Sequence, residues 1–536
     1  MKKLNSASIF SVVFLLGILV MLNAIGIRYF LRTDLTSAKI YSLSKASKDV
    51  AAKLDDKVLI KAYFSPNLPP QYNTIGPYLR DMLEDYRAFS HGRIQYEFVN
   101  PGDEKKLSEE ADSFQIPARQ VQIIEKDKIE VKRVYMGAVF IYRDKKETFP
   151  VIENTDTIEY EVTSLIKRIS SNANPILGIA STGSQQQEAS MQRLYEGLGR
   201  NYNVQPVSLD SPVEKSVTAL LVLAPRQTFT DTQLFNLDQY IMNGGKVGIF
   251  ANSYRLFQQQ QQTIGIPYNL NLNGLLNTYG IGLGEDMVID VKCNAIQVPS
   301  QQGFIRFYQT VQIPYMPIIG TFNKRHVITR DIQQVMTFFP SSVDTTLAAK
   351  KGFKAEGLMY TSGFSGRQSG PAVYIMPLEA MKKTDFLKKF IPLAAIVTGK
   401  FTSYYAQSGP PADSTGGVSA RPFLKECEKE NRIVVVGDGN MALDMYVRDP
   451  RQIVFIQNVA DWLVQAEDLI SIRSKELPLR PLKNIGDMGR NLVKWANMVG
   501  PSVLVIIMGI ALWRGRAIRK KATLSQYEKG RKTDEE

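Results

Sequence analysis

Two cysteines, Cys293 and Cys427, and two histidines, His91 and His326, are all that 536 residues contain. That scarcity removes several kinds of chemistry. A Cys/His zinc site needs closely spaced ligands, and no such spacing exists here. A disulfide framework cannot be built from two cysteines; one bridge in an oxidising compartment or two buried free thiols remain open, and free thiols are the preferred reading. His91 falls in a turn and His326 in a basic, strand-like stretch, so both read as structural or exposed. Also missing is G-x-x-x-x-G-K-[ST], which excludes a P-loop ATPase. The net charge of +13 is scattered apart from one C-terminal cluster, and no basic stripe interleaved with aromatics occurs. Nucleic acid is therefore a poor partner. No motif asks for a cofactor or a metal.

What is present is apolar. Hydrophobic residues make up 44% of the chain, enough for two or three folded domains. Residues 9–27 form an almost unbroken uncharged run, long enough to cross a bilayer as a helix. A cleavable signal peptide competes, but the run is long and Asn23-Ala24-Ile25-Gly26 is a poor cleavage site. Residues 495–513 form a second uncharged segment, with Trp495 and Trp513 at its edges and Pro501 near its start, where a helix tolerates proline best. A buried core helix is the plainer alternative. Against it stand the terminal position and the basic cluster Arg514, Arg516, Arg519, Lys520 and Lys521, which the positive-inside rule keeps cytoplasmic. Two spans then place both termini in the cytoplasm. The expectation is a chain held in the bacterial inner membrane, with residues 1–32 as anchor, 514–536 as cytoplasmic tail and the soluble domains on the periplasmic side.

Between the spans the pattern is α/β. Over 33–172 the spacing predicts helix 45–54 with Ser44 as N-cap, strand 57–64, helix 75–89, strand 93–99, helix 105–114, strands within 120–152 and helix 158–170. This order resembles a thioredoxin-like domain. The 64–70 loop falls where such proteins carry their redox dithiol, and Ile116-Pro117 falls where their cis-proline sits. No cysteine is present, so the domain is expected to be a scaffold or binding module.

Over 173–475, apolar strands 176–180, 219–223, 246–250 and 432–436 alternate with helices 189–201, 230–243 and 453–467. Continuous apolar strands point to a parallel sheet covered on both faces, a flavodoxin/amidotransferase-like domain. Residues 254–430 read as a β-rich insertion that opens with Gln258 to Gln262 as a flexible loop and carries 325–329 as a strand. Asp286 and Asp290 read as solvated in a polar turn. A linker, 476–494, leads to the second span.

Two glycine turns follow apolar strands at the end where α/β sheets take ligands: Gly437-Asp438-Gly439-Asn440 and Thr182-Gly183-Ser184. Both are weak ligand-binding candidates, since a tight glycine turn is what any strand-to-helix connection requires. Neither carries G-x-G-x-x-G. Gly363-Phe364-Ser365-Gly366 lacks the spacing of a nucleophile elbow and has no histidine partner.

Several stretches, taken in order, resemble the GldG-type auxiliary proteins of ABC transporters, a family associated with gliding motility. They are Asp34-Leu35-Thr36 with Tyr41-Ser42-Leu43-Ser44, AYFSPNLP at 62–69, YMGAV at 135–139, IEYEVT at 158–163, LDQYIMNGGK at 237–246, VVGDGN at 435–440 and residues 458–463. The resemblance covers nearly the whole chain. It implies a non-enzymatic auxiliary subunit that binds substrate or partner beside an ABC permease and a separate ATPase subunit, and it transfers no catalytic residue. The alternative is a membrane-anchored hydrolase or amidotransferase-like enzyme working through Asp or Glu.

Overall fold

The computed structural model describes residues 14, 15, 17, 18, 21, 42–66, 68–102, 104–125, 128–155, 157–170, 175–180, 190–259, 262–302, 305–411, 423–447, 449–465, 470 and 487–533. The chain divides into two compact units, Met1–Leu477 and Pro478–Glu536. Of the 9–27 run, all but five residues lie outside the described ones.

The first unit opens with a four-stranded sheet. Val58–Phe64 is an inner strand of the sheet, with Ile94–Val99 parallel to it on one side and Met136–Tyr142 antiparallel on the other. Lys145–Phe149 completes the sheet beyond Met136–Tyr142. Helices Lys45–Ala52, Ile75–Phe89 and Ile158–Ser170 bury Ala51, Leu79, Leu83, Tyr86, Val162 and Ile166 against one face. Helix Lys105–Ser113 sets Ala111 with Tyr63 and Val139 on the other. Ser44 caps the first helix as expected, its side chain accepting from the Ser47 N–H. No peptide bond among the described residues is cis, Ile116–Pro117 included.

The second sheet has eight strands. Five are parallel: Ile176–Ala180, Asn203–Val207, Val217–Leu223, Lys246–Phe250 and Asn431–Val436. Numbered along the chain, their spatial order is 2-1-3-4-5. Helices Gln192–Gly199 and Pro450–Val464 contribute Leu194, Leu198, Phe455 and Ile456 to one core, while Asp231–Met242 contributes Leu234 and Leu237 to another. Runs such as Ile433 to Val436 are wholly buried because both faces of the sheet are covered.

The other three strands come from the 254–430 excursion, which is therefore only partly an insertion. Pro392–Gly399 pairs antiparallel with Asn431–Val436, followed outward by Lys354–Tyr360 and Thr321–Phe322. Leu393 and Ile396 join one core and Ala395 and Val397 the other, so this strand is as deeply buried as its parallel neighbours.

Several sequence expectations change. Gln258 and Gln262 belong to a hairpin rather than a loop: Tyr254–Gln259 pairs with Gln262–Pro267, because strand formers flank the glutamines on both sides. Residues 325–329 are turns; the Thr329 N–H and hydroxyl bond back to the His326 and Asn323 carbonyls, and His326 packs edge-on to Trp462 at 5.4 Å. Asp286 and Asp290 are buried, not solvated. Ser342 donates its N–H and hydroxyl to Asp286, and Ser362 does the same for Asp290. The helix expected at 453–467 is Pro450–Val464. Asp449 caps it with Gln452 in a capping box, Pro450 opens it, and Gln465 ends it at φ +66°. The helix expected at 189–201 is Gln192–Gly199. Cys293 and Cys427 are free and buried, and burial pushes each thiol up to about 11, which keeps both protonated at neutral pH.

Among the described residues the second unit holds one helix, Asp487–Thr533, which begins inside the expected linker. No single helix among the described residues is long and apolar enough to cross a membrane. Met488–Gly500 and Val505–Lys520, bent by 41°, meet that criterion together. Pro501 therefore lies in mid-helix rather than near a start. The bend falls there because proline lacks the N–H that would continue the hydrogen-bond ladder.

Candidate functional site

The C-terminal ends of parallel strands are where α/β sheets take ligands. At the ends of the Lys246–Phe250 and Asn431–Val436 strands that place is taken by the chain itself. Gly437-Asp438-Gly439-Asn440 leaves the Asn431–Val436 strand there. The Gly437 N–H donates to the Leu393 carbonyl at 2.8 Å, and its carbonyl accepts the Ser341 N–H at 2.7 Å. A β-carbon on Gly437 would stand 1.9 Å from the Ser341 oxygen, and one on Gly439 would stand 2.6 Å from the Phe250 oxygen. Both glycines are thus needed for backbone to approach backbone.

Asp438, between them, is fully buried. Its carboxylate accepts the Phe338 N–H at 2.7 Å and the Met441 N–H at 3.3 Å. Burial pushes its pKa up to about 7, against the pull of the Phe338 N–H, the Asn252 amide and the Met441 and Asn440 N–H groups. Asn252, two residues beyond the Lys246–Phe250 strand, locks the turn. Its Oδ1 accepts the Gly439 and Asn440 N–H groups at 2.8 and 3.2 Å, and its Nδ2 donates to the Phe339 carbonyl at 2.9 Å. Asn440 Nδ2 donates to the Phe338 carbonyl at 3.0 Å. Residues 337–341 are thereby held against the strand ends, with Phe339 buried in a left-handed conformation at φ +56°.

The spatial order reverses between Ile176–Ala180 and Val217–Leu223, the crevice where ligands of doubly wound sheets sit. The helix that follows the first of these strands, Gln192–Gly199, points free N–H groups from its start, the usual seat of a phosphate or other anion. Here Asp444 fills that seat, its carboxylate accepting the Gln192 and Arg193 N–H groups at 2.9 and 3.1 Å. The Asp444 N–H in turn donates to the Ser190 carbonyl at 2.7 Å. Asp444→Ala should cost about 1 kcal/mol through loss of this cap. A lowered urea midpoint checks that, and an unchanged one contradicts it. Thr182, Gly183 and Ser184 lie outside the described residues.

The structure therefore brings Gly437, Asp438, Gly439 and Asn440 together with Asn252 and residues 337–341, and their polar atoms bond to protein. Sequence reading missed Asn252 and Asp444. Asn252 carried a signal, a polar residue just past an apolar strand. Asp444 carried none, because its partners are some 250 residues away in the chain.

A second concavity lies in the first region, beside the loop that follows the Val58–Phe64 strand. This groove of about 1030 Å³ is lined by Phe64, Ser65, Pro69, Arg80, Phe98 and Asn100 among others, with the Arg80 guanidinium 4.3 Å above the Phe98 ring. It holds no thiol. Among the described residues no group of three or more His, Cys, Asp or Glu is placed to hold a metal ion.

Residues 174–466 match the family described as an ABC-type uncharacterized transport system, and residues 37–141 match a domain of unknown function. A protein of Borreliella burgdorferi, described as uncharacterized, is 21% identical over 459 residues, covering 83% of this chain and 85% of that one. Among solved structures, the mmIFT52 N-terminal domain aligns at a TM-score of 0.31 and 15% identity, covering 54% of this chain and 97% of that one. The exo-beta-1,4-mannosidase Op5Man5 from an Opitutaceae bacterium aligns at 0.24 and 8%, covering 72% and 48%. Likenesses at these TM-scores bear on neither fold nor function.

Proposed function

This chain belongs to the ABC-type uncharacterized transport system family of ABC-transporter auxiliary proteins, and from that premise we propose that it is a non-enzymatic subunit that binds substrate or partner beside an ABC permease, with a separate ATPase subunit supplying the energy. The single observation that supports the non-enzymatic reading is that, among the described residues, the ends of the Lys246–Phe250 and Asn431–Val436 strands are covered by the chain's own backbone. Residues 337–341 lie against the strand ends, and Asp444 takes the place an anionic ligand would have. Scarce histidine and cysteine and the missing P-loop agree with it.

The strand order 2-1-3-4-5 supports a flavodoxin-like core for the second region. A parallel pair flanked by an antiparallel pair, with helices on both faces, supports a thioredoxin-like first region without its dithiol, serving as a scaffold. The chain is held in the inner membrane by residues 9–27 and by the bent helix pair around Pro501, with both termini cytoplasmic and the soluble regions periplasmic. The exposed Trp495, Val505, Ile506, Met508 and Trp513 support the second of these anchors. A link to gliding motility enters only through the GldG resemblance, and loss of surface translocation on gene deletion in a gliding host is its test.

Removal of residues 495–536 tests the placement. The truncated chain should keep its soluble regions folded, as read by circular dichroism and proteolysis, while losing most of the permease that co-purifies with the full-length protein. Undiminished permease recovery would contradict the proposal that this segment makes the contact.

A further inference from the structure

Large apolar side chains stand exposed together where three segments meet beyond the Met287–Asp290 strand. Phe364 is 68% exposed, Leu387 72% and Phe390 54%, and Val291 is exposed beside them. The backbone draws them together. The Val291 N–H donates to the Phe364 carbonyl at 3.1 Å, and the Phe390 N–H donates to the Ser362 carbonyl at 3.0 Å. Ser365 and Lys388 each donate an N–H to the other's carbonyl, at 3.0 and 2.8 Å.

The exposure does not come from a loose chain. Phe386, the residue before Leu387, is buried with Ile289, Ile313 and Tyr315 at the base of the long hairpin in which Cys293–Gln302 pairs with Ile305–Ile319. Ser362 is fixed by donating its N–H and hydroxyl to the buried Asp290 at 2.6 and 2.7 Å. A β-carbon on Gly366 would stand 1.8 Å from the Asp385 carbonyl oxygen, so the two turns press directly on each other. An apolar patch held out on so firm a base marks a contact surface.

The charge around it has one sign. Residues 381–390 read MKKTDFLKKF. Lys382, Lys383, Lys388 and Lys389 are exposed, and none of them forms an ion pair with a described residue. Asp385, the one carboxylate of this segment, is engaged by backbone, accepting the Lys382 N–H at 2.9 Å.

We propose that this patch docks on an anionic lipid surface, with Phe364, Leu387 and Phe390 at the boundary of headgroups and acyl chains and the lysines on headgroup phosphates. Apolar insertion combined with a polybasic patch is the pair of signals that holds a protein on a bilayer. Lysine suits the place, because its stem lies along apolar surface while its ammonium stays among phosphates. A second copy of this chain does not, since four uncompensated cations and a net charge of +13 repel it. The backbone fits as well. The Phe364 N–H is bonded to the Ser362 hydroxyl at 3.1 Å, and the Phe364 carbonyl, both polar groups of Lys388 and the Phe390 N–H are bonded within the protein. They can enter a poorly hydrated layer without losing a hydrogen bond. The inference rests on the reading of the chain as membrane-anchored.

The test uses the full-length chain in liposomes of phosphatidylglycerol and phosphatidylcholine. Cys293 and Cys427 are buried, so a fluorophore goes to one introduced cysteine. Gly363→Cys places it beside Phe364, where a β-carbon meets nothing within 4 Å. Ile506→Cys places it in the apolar C-terminal helix, and Lys350→Cys on an exposed site elsewhere. A lipid spin-labelled at its headgroup should quench the 363 and 506 labels and spare the 350 label. Joint Lys388→Glu and Lys389→Glu substitution, or joint Phe364→Ser and Phe390→Ser substitution, should remove at least half of the quenching at 363 with circular dichroism unchanged. All four side chains are exposed, so the fold does not depend on them. A 363 label open to aqueous acrylamide and blind to the lipid quencher, with the 506 label still quenched, overturns the docking and leaves the anchor intact. Absence of quenching at both positions overturns the anchor reading and the docking with it. Undiminished quenching in both joint variants also overturns the docking. Shielding of the 363 label from acrylamide only when the permease is present assigns the patch to a protein partner and overturns the lipid assignment.

Discussion

Alanine at position 437 should destabilise the α/β region by about 3 kcal/mol or more, at the upper end of what an overpacked site costs. The cause is a single contact. The new β-carbon would stand 1.9 Å from the Ser341 carbonyl oxygen, a backbone atom that cannot rotate away. Relief requires moving residues 337–341, and these are fixed by the Phe338 N–H on Asp438, the Phe339 carbonyl on Asn252 and the Ser341 N–H on the Gly437 carbonyl. The loss should appear as a lower denaturant midpoint for the whole α/β region rather than a local loosening, because the same residues join the sheet to the base of the long hairpin. Gly244→Ala offers a comparison. That glycine has φ +88° but nothing near its would-be β-carbon, so the cost there is conformational alone, about 1 kcal/mol. Equal midpoints for Gly437→Ala and the parent chain would mean that the turn is looser than the structure holds it.

The second large effect is a pH dependence. Asp438 has an ordinary value of 3.8, which burial pushes up to about 7. Between those values the unfolded chain has lost the proton while the folded chain retains it. The folded state binds more protons, so stability falls as pH rises. The contribution is fully present below about pH 4 and is lost as pH rises through about 7, amounting to about 4 kcal/mol at 1.36 kcal/mol per pH unit. Asp438→Asn removes the titration. Its amide also sacrifices one of the two N–H bonds, so its absolute stability shifts as well. The readout is therefore the difference between the two stability curves across pH 4–8, in which all other titrating groups cancel. That difference should close steadily as pH rises. Parallel curves would show that Asp438 is ionised throughout, and that the N–H groups of Phe338 and Met441 compensate its burial.

Strands whose residues carry their own signal were legible. The apolar runs at 176–180, 219–223, 246–250 and 432–436 announced a doubly covered parallel sheet, and Ser44 announced a helix start. The strand Pro392–Gly399 was equally apolar, but it lies far along the chain from its partner Asn431–Val436 with no βα alternation to frame it, so its membership of the sheet went unread. Asp286 and Asp290 looked like surface carboxylates because their seryl partners, Ser342 and Ser362, are distant in sequence. The glycines at 437 and 439 were identified as necessary. What they admit, the chain's own residues 337–341 and the Phe250 carbonyl, depends on tertiary pairing that no local pattern encodes. The same holds for Asp444 on the Gln192–Gly199 helix: an Asp some 250 residues downstream is indistinguishable in sequence from a solvated one until the helix start is placed against it.

The auxiliary-subunit reading predicts an obligate set of partners. Purification of the tagged full-length protein in mild detergent, with mass spectrometry of everything retained, addresses it most directly. A polytopic permease and a P-loop ATPase recovered in fixed proportion is the expected result. Recovery of the protein alone, or with a soluble partner only, would contradict it.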